Sequence, residues 1–242
     1  FVNLWIYRIL LNLGGLKKFV IKDDFVSDDI AEIIGLGDFI DNEAGNNLSR
    51  TKIRKICTNH YSSLSDELKE QTLPRYLQNS IDEIGQLVGL NPNEKHILGF
   101  TTLLHTERML EEASRLLGDL TMSKTYSALS LILQIPESEL KQAFGAKGAL
   151  YMSGLLKLGE YARNLDDRLE LFSTRFADAV IEGESDPVEL FRETVTKSTA
   201  PNLTIDHYEH IDKNISILLP LLTQAINNKV RGINIYIYGP AG

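Results

Sequence analysis

The stretch INIYIYGPAG, residues 233–242, decides the reading of this chain. INIYIY is rich in bulky and β-branched side chains, as a buried parallel strand should be. A strand that runs at once into Gly-Pro-Ala-Gly is the opening of the phosphate-loop pattern G-x-x-x-x-G-K-[ST]. Gly239 takes its first position, and Pro240, Ala241 and Gly242 the next three. Such a loop turns sharply off its strand so that successive backbone N–H groups point at an anion, and glycine is needed where a side chain would block the approach. The pattern's lysine, which meets the β/γ-phosphates, and its serine or threonine, which holds Mg²⁺, are not among these residues. The expectation is therefore a chain trimmed inside the motif, with no catalysis of its own.

Upstream, residues 206–229 read as one long helix. Ile211, Ile215, Leu218, Leu219, Leu222 and Ile226 form its apolar side, Asn227 and Asn228 close it, and KVRG turns the chain into the strand. Before it, RETVTKSTAPN is polar and aperiodic with one proline, the best linker in the sequence.

The body is helical, because apolar residues recur at spacings of three and four with little alternation. Residues 2–13 form a first apolar helix stopped at Gly14-Gly15. Residues 23–48 hold eight acidic residues and no Lys or Arg. They allow one short helix, capped by Ser27 and ended at Gly35. The basic LSRTKIRKIC that follows is expected to complement them on the surface. Leu73, Leu77, Ile81, Ile84 and Val88 make one core-facing stripe. NPNE, residues 91–94, is a helix start: Asn91 caps, Pro92 takes the first helical position and Glu94 reaches back. Helices then run to about His105 and from Thr106 to Leu117, and DPVE, residues 186–189, starts a short one through Phe191.

Residues 121–172 have the rhythm of a winged helix-turn-helix. Ser123 caps a helix, QIPES turns the chain, ESELKQAF makes a second helix, and SGLLKL can pair with DRLELF around a polar loop. The charges argue against DNA reading: from Glu137 to Glu170 there are five basic and six acidic residues, and the second helix opens on glutamates.

Other features have plainer readings. His207 and His210 at i, i+3 lack a third ligand, so Asp206 is read as a cap and the histidines as surface residues. FGAKGAL, residues 144–150, is a helix exit rather than a phosphate loop, since it follows a helix and lacks Gly-Lys-Ser/Thr. Cys57 and His60 share a helix face, but a lone cysteine on an apolar stripe is a core residue. Neither a catalytic nor a metal site is assigned.

Composition bounds the function. A net charge of −8 disfavours general binding to nucleic acid or anionic membranes. One cysteine excludes a disulfide framework and suits a reducing, cytoplasmic compartment. The apolar runs are too short or interrupted, by Arg8 and by Pro220, to span a membrane.

NIYIYGPAG resembles the first strand and Walker A start of AAA-family ATPases, whose usual version reads Gly-Pro-Pro-Gly-Thr-Gly-Lys; Ala241 replaces the second proline. The preceding LTIDHYEHIDKNISILLPLLTQAINNKVRG is similar to the helix that leads into the AAA core. Residues 75–192, with SGLLKL and DPVELF, resemble the helical region before the ATPase domain in a group of bacterial AAA proteins. The resemblance implies a cytoplasmic protein that binds ATP and Mg²⁺ at Gly239, Pro240, Ala241 and Gly242 and the residues beyond. It also implies a region that recognises a protein client or adaptor, or regulates the motor, in a parent that forms homo-oligomeric rings. The expected architecture is a mainly α helical array. It comprises a helical region (1–120), a winged-helix-like unit (121–192), a linker (193–203) and the first helix and strand of a P-loop α/β domain (204–242). The rival readings are a winged-helix nucleic-acid binder and a structural helical interaction domain.

Overall fold

Helix α1 (Val2–Asn12) is covered on nearly every side: Leu4, Trp5, Ile6, Tyr7, Ile9 and Leu10 are all buried, and so is Arg8. A helix apolar all round has to be central rather than peripheral. In the computed structural model, which describes residues 1–22, 24–40, 49–68, 73–183, 199–200, 202–230, 232–236 and 238, α1 is the axis of the first of two units. The units are Phe1–Thr196 and Lys197–Gly242.

In the first unit α1 ends where Gly14 takes a positive φ of 77°, a conformation costly for other residues. Then come α2 (Leu16–Phe19), a small antiparallel pair β1 (Val20–Ile21) and β2 (Asp24–Phe25), α3 (Asp28–Ile33), and α4 (Arg50–Glu67). Ser27 caps α3 by accepting from the Ile30 N–H. Among the described residues, two cations of the basic stretch are held by backbone carbonyls. Arg50 donates to the Val20 carbonyl, Arg54 to that of Leu11, and Asp29 pairs instead with Arg108.

The second central helix is α6 (Pro92–Thr106), entered from α5 (Arg75–Val88), whose Leu77, Ile81 and Ile84 are buried as the stripe predicts. Asn91 and Glu94 form the expected capping box. Thr101 and Thr102, deep in the core, satisfy their hydroxyls on the carbonyls of Ile97 and Leu98 at 2.9 and 3.0 Å. Trp5 of α1 meets Phe100 of α6 edge to face at 5.0 Å between centroids, which joins the two central helices.

Helices α7 (Arg108–Arg115), α8 (Met122–Leu133), α9 (Glu137–Ala143) and α10 (Ala149–Ser153) complete the wrap. They are followed by β3 (Leu156–Leu158), α11 (Leu165–Arg168), β4 (Leu169–Leu171) and α12 (Thr174–Glu182). The cap of α8 is Thr121, which accepts from the Lys124 N–H, and not Ser123; the helix begins two residues earlier than its polar pattern suggests. SGLLKL and DRLELF do pair, antiparallel, with Leu156 opposite Leu171 and Leu158 opposite Leu169.

The second unit departs from expectation in two places. The long helix is split: a 3₁₀ segment Ile205–Ile211, irregular at Tyr208, precedes α13 (Asp212–Asn227). Thr204 rather than Asp206 caps it, its N–H bonded to His207 Nδ1 at 3.0 Å. Residues 233–236 form no strand, because none of the described residues supplies the neighbouring ladder on which a strand depends. The helix expected from DPVE lies outside the described residues, as does most of the linker. No described helix is long and apolar enough to cross a membrane.

Candidate functional site

Gly239, Pro240, Ala241 and Gly242 lie outside the described residues, so the phosphate-loop reading has no geometry attached to it. Among the described residues no group of three or more His, Cys, Asp or Glu side chains gathers to hold a metal ion. Cys57 and His60 do share α4, but Cys57 is buried and its thiol is pushed up to about 11 by that burial, while His60 Nδ1 lies 3.3 Å from the Ile34 carbonyl. A thiol so high is no nucleophile at neutral pH. FGAKGAL is a turn between α9 and α10, and its Lys147 is exposed.

The helix-turn-helix portion turns at Gln134, which adopts a φ of 58°, and Pro136. The charges at the start of α9 are engaged by neighbours. Glu137 accepts from the Ser127 hydroxyl at 2.6 Å, which with Lys141 holds its carboxyl below the usual range. Glu139 accepts from Asn93 of α6, and Lys141 sits 5.7 Å over the Tyr126 ring. The helix that would enter a major groove thus begins with two carboxylates and packs along α6.

A more distinctive surface is the hairpin β3–β4 and its loop. Arg168, at the end of α11, is only 4% exposed and donates to four backbone carbonyls: Glu160 at 2.9 Å, Leu120 at 2.6 Å, Gly159 and Ala162. The Leu120 N–H in turn donates to the Arg163 carbonyl at 2.9 Å, and His105 Nε2 sits 2.7 Å from the Leu169 carbonyl, a bond that puts the proton on Nε2. A loop that reads as polar and open is therefore pinned to the body from inside.

Against this framework lies a cleft of about 950 Å³. Asp119, Glu160, Asp166, Asp167 and Glu170 line it, with Arg163 as the cation among them. Asp166 is buried: one of its carboxylate oxygens has no hydrogen-bond partner, and the other is 3.8 Å from the Arg115 guanidinium. At the rim Tyr161 is 95% exposed, a large amphipathic side chain held out on a rigid loop. The arrangement can bind a positively charged, partly apolar partner. Sequence reasoning missed it, because its carboxylates come from separate elements and the buried Arg168 carries no pattern of its own.

Comparison with protein-family models, with curated proteins and with solved structures gives no match to this chain.

Proposed function

We propose that this chain is the recognition or regulatory region of an AAA-type ATPase, leading into its nucleotide-binding domain. In this reading the helical unit takes a protein client or adaptor, and Gly239–Gly242 begin the loop that cradles the phosphates of ATP-Mg²⁺. The observation that carries it is the exposure of apolar side chains in the second unit. Ile217 is 72% exposed and Ile226 75%, and Tyr236 and Tyr238, stacked on each other, are exposed to solvent as well. Helix α13 also holds an internal proline, Pro220. Apolar side chains in that number are not left in water by a self-sufficient unit, whereas an α/β nucleotide domain would cover them. This agrees with the resemblance of NIYIYGPAG to a Walker A start. The acidic cleft beside Tyr161 supports recognition of a basic protein segment, as charge complementarity steers association.

The test is the stretch of gene that follows Gly242. The four codons should encode any residue, then Gly, Lys and Ser or Thr, and the longer protein should bind a fluorescent ATP analogue in the presence of Mg²⁺. Any other sequence at those codons removes the ATPase reading and leaves a helical interaction module.

A further inference from the structure

Arg8 is 5% exposed, yet among the described residues no carboxylate lies within ion-pair distance of it. Its one hydrogen bond runs to the Ile132 carbonyl at 2.5 Å, in the last turn of α8, where carbonyls lack helical partners and the helix dipole favours a cation. That contact accounts for one of the five N–H donors of a guanidinium. The Nε–H has no partner. His96, one helix away on α6, likewise has a buried Nε2 without a partner, and burial and then the Arg8 charge bring its pKa down to about 4. A buried cation left this far from saturation is costly. Arg168, equally buried, is held by four carbonyls.

Both unsatisfied groups border one crevice of about 300 Å³ between α1, the end of α4, the start of α6 and the end of α8. Its apolar walls include Leu4, Trp5, Leu68 and Leu133, and Ser65 and Asn93 add neutral polar groups; among the described residues no acidic one lines it. We propose that this crevice binds a small organic monoanion, a carboxylate on an apolar body, with the Arg8 guanidinium on the carboxylate and Trp5 and Leu133 against the body. The one guanidinium matches a single negative charge, and the apolar walls suit the body of an organic anion better than the fully hydrated oxygens of a phosphate dianion. At the pH where His96 is neutral, one ring nitrogen can donate to the same carboxylate. The inference is independent of the nucleotide reading.

Trp5 is the single tryptophan of the chain and its ring centroid lies 6.3 Å from that of His96, so its fluorescence reports on the crevice directly. The test titrates the 242-residue chain at pH 7 with hexanoate, hexanol and inorganic phosphate, following Trp5 emission and, in ¹⁵N-labelled protein, the Arg8 Nε–H resonance. Hexanoate should saturate with a dissociation constant at or below about 5 mM, with hexanol and phosphate at least tenfold weaker. The Nε–H proton should move downfield along the same curve. Arg8→Lys keeps the charge but loses the planar fork, and should weaken hexanoate at least fivefold. Because Arg8 variants can also disturb the core, Ser65→Phe at the half-buried mouth should block hexanoate with Arg8 intact. Weaker binding than 5 mM, equal binding of hexanol or of phosphate, or an Nε–H resonance that stays put while Trp5 responds, overturns the proposal.

Discussion

Replacing Glu94 by glutamine removes one oxygen and one charge, and the structure gives a magnitude for the loss. One carboxylate oxygen accepts from the Asn91 N–H at 2.9 Å and closes the capping box of α6. The other accepts from the N–H groups of Ala149 and Leu150 at 2.7 and 3.4 Å, at the start of α10, 55 residues further along the chain. One buried carboxylate thus terminates two helices. A carboxamide keeps a single acceptor oxygen, so either the box or the α10 amides must face an NH₂ group. A hydrogen bond to a charged group contributes about 1.5–3 kcal/mol, and the charge at a helix N-terminus a few tenths more. Glu94→Gln should therefore lose about 2–3 kcal/mol, and Glu94→Ala about 3–5 kcal/mol, because it also leaves a small cavity. Urea denaturation followed by circular dichroism measures both; at about 2–4 °C per kcal/mol, the thermal midpoint should drop by several degrees. In hydrogen exchange the amides of Ala149 and Leu150 should lose protection before the α6 interior does. A Glu94→Gln protein within about 0.5 kcal/mol of the parent, with Ala149 unchanged, would refute the two-helix role.

Two further outcomes follow from the same structure. His96 titrates near 4 when folded against about 6.5 when unfolded, so between those values the unfolded chain binds a proton that the folded chain refuses. Stability should be whole above pH 6.5 and fall as pH drops toward 4, by about 2–3 kcal/mol after allowing for the ring's partial exposure; denaturation at pH 7 and 4.5 checks this, and a flat profile contradicts it. Gly148→Ala would put a Cβ 2.0 Å from the Ala143 carbonyl oxygen, whereas Gly89→Ala, at a φ of 80° with open space around it, meets only backbone strain. The first should cost well over 2 kcal/mol and the second about 1 kcal/mol, and equal midpoints for the two variants would contradict the packing described between α9 and α10.

The helical class was legible because the signals are local. Asn91, Pro92 and Glu94 announce a helix start within four residues, Gly14 and Gly35 announce ends, and the stripe Leu77, Ile81, Ile84 needs only a period of 3.6. The β3–β4 pairing was legible for the same reason, as two short apolar runs around a polar loop. What the sequence hides is long-range. The reach of Glu94 to α10, the contact of Arg8 with Ile132 and the grip of Arg168 on Leu120 join residues tens of positions apart. Over the described residues 233–236 the expected strand is absent for a related reason: β-propensity records what fits a sheet, and a sheet is made by neighbours.

Arg8 and Arg168 make the case for separating structure from function by hydrogen-bond accounting rather than by burial. Both are buried, both end up beside helix or loop carbonyls, and both leave Nε without a partner. Arg168 is nonetheless surrounded: four carbonyls from Leu120 and the hairpin loop share its charge, so its environment accounts for its presence and a ligand would have to displace backbone. Arg8 meets one carbonyl and lies near the neutral His96, at the wall of a crevice that no acid among the described residues lines. The free energy of keeping an unshared charge out of water has to be offset somewhere, and within the described residues the offset is incomplete. The carboxylate proposed for the crevice would complete it, which is why the same residue type is read as a strut at one position and as a receptor at the other.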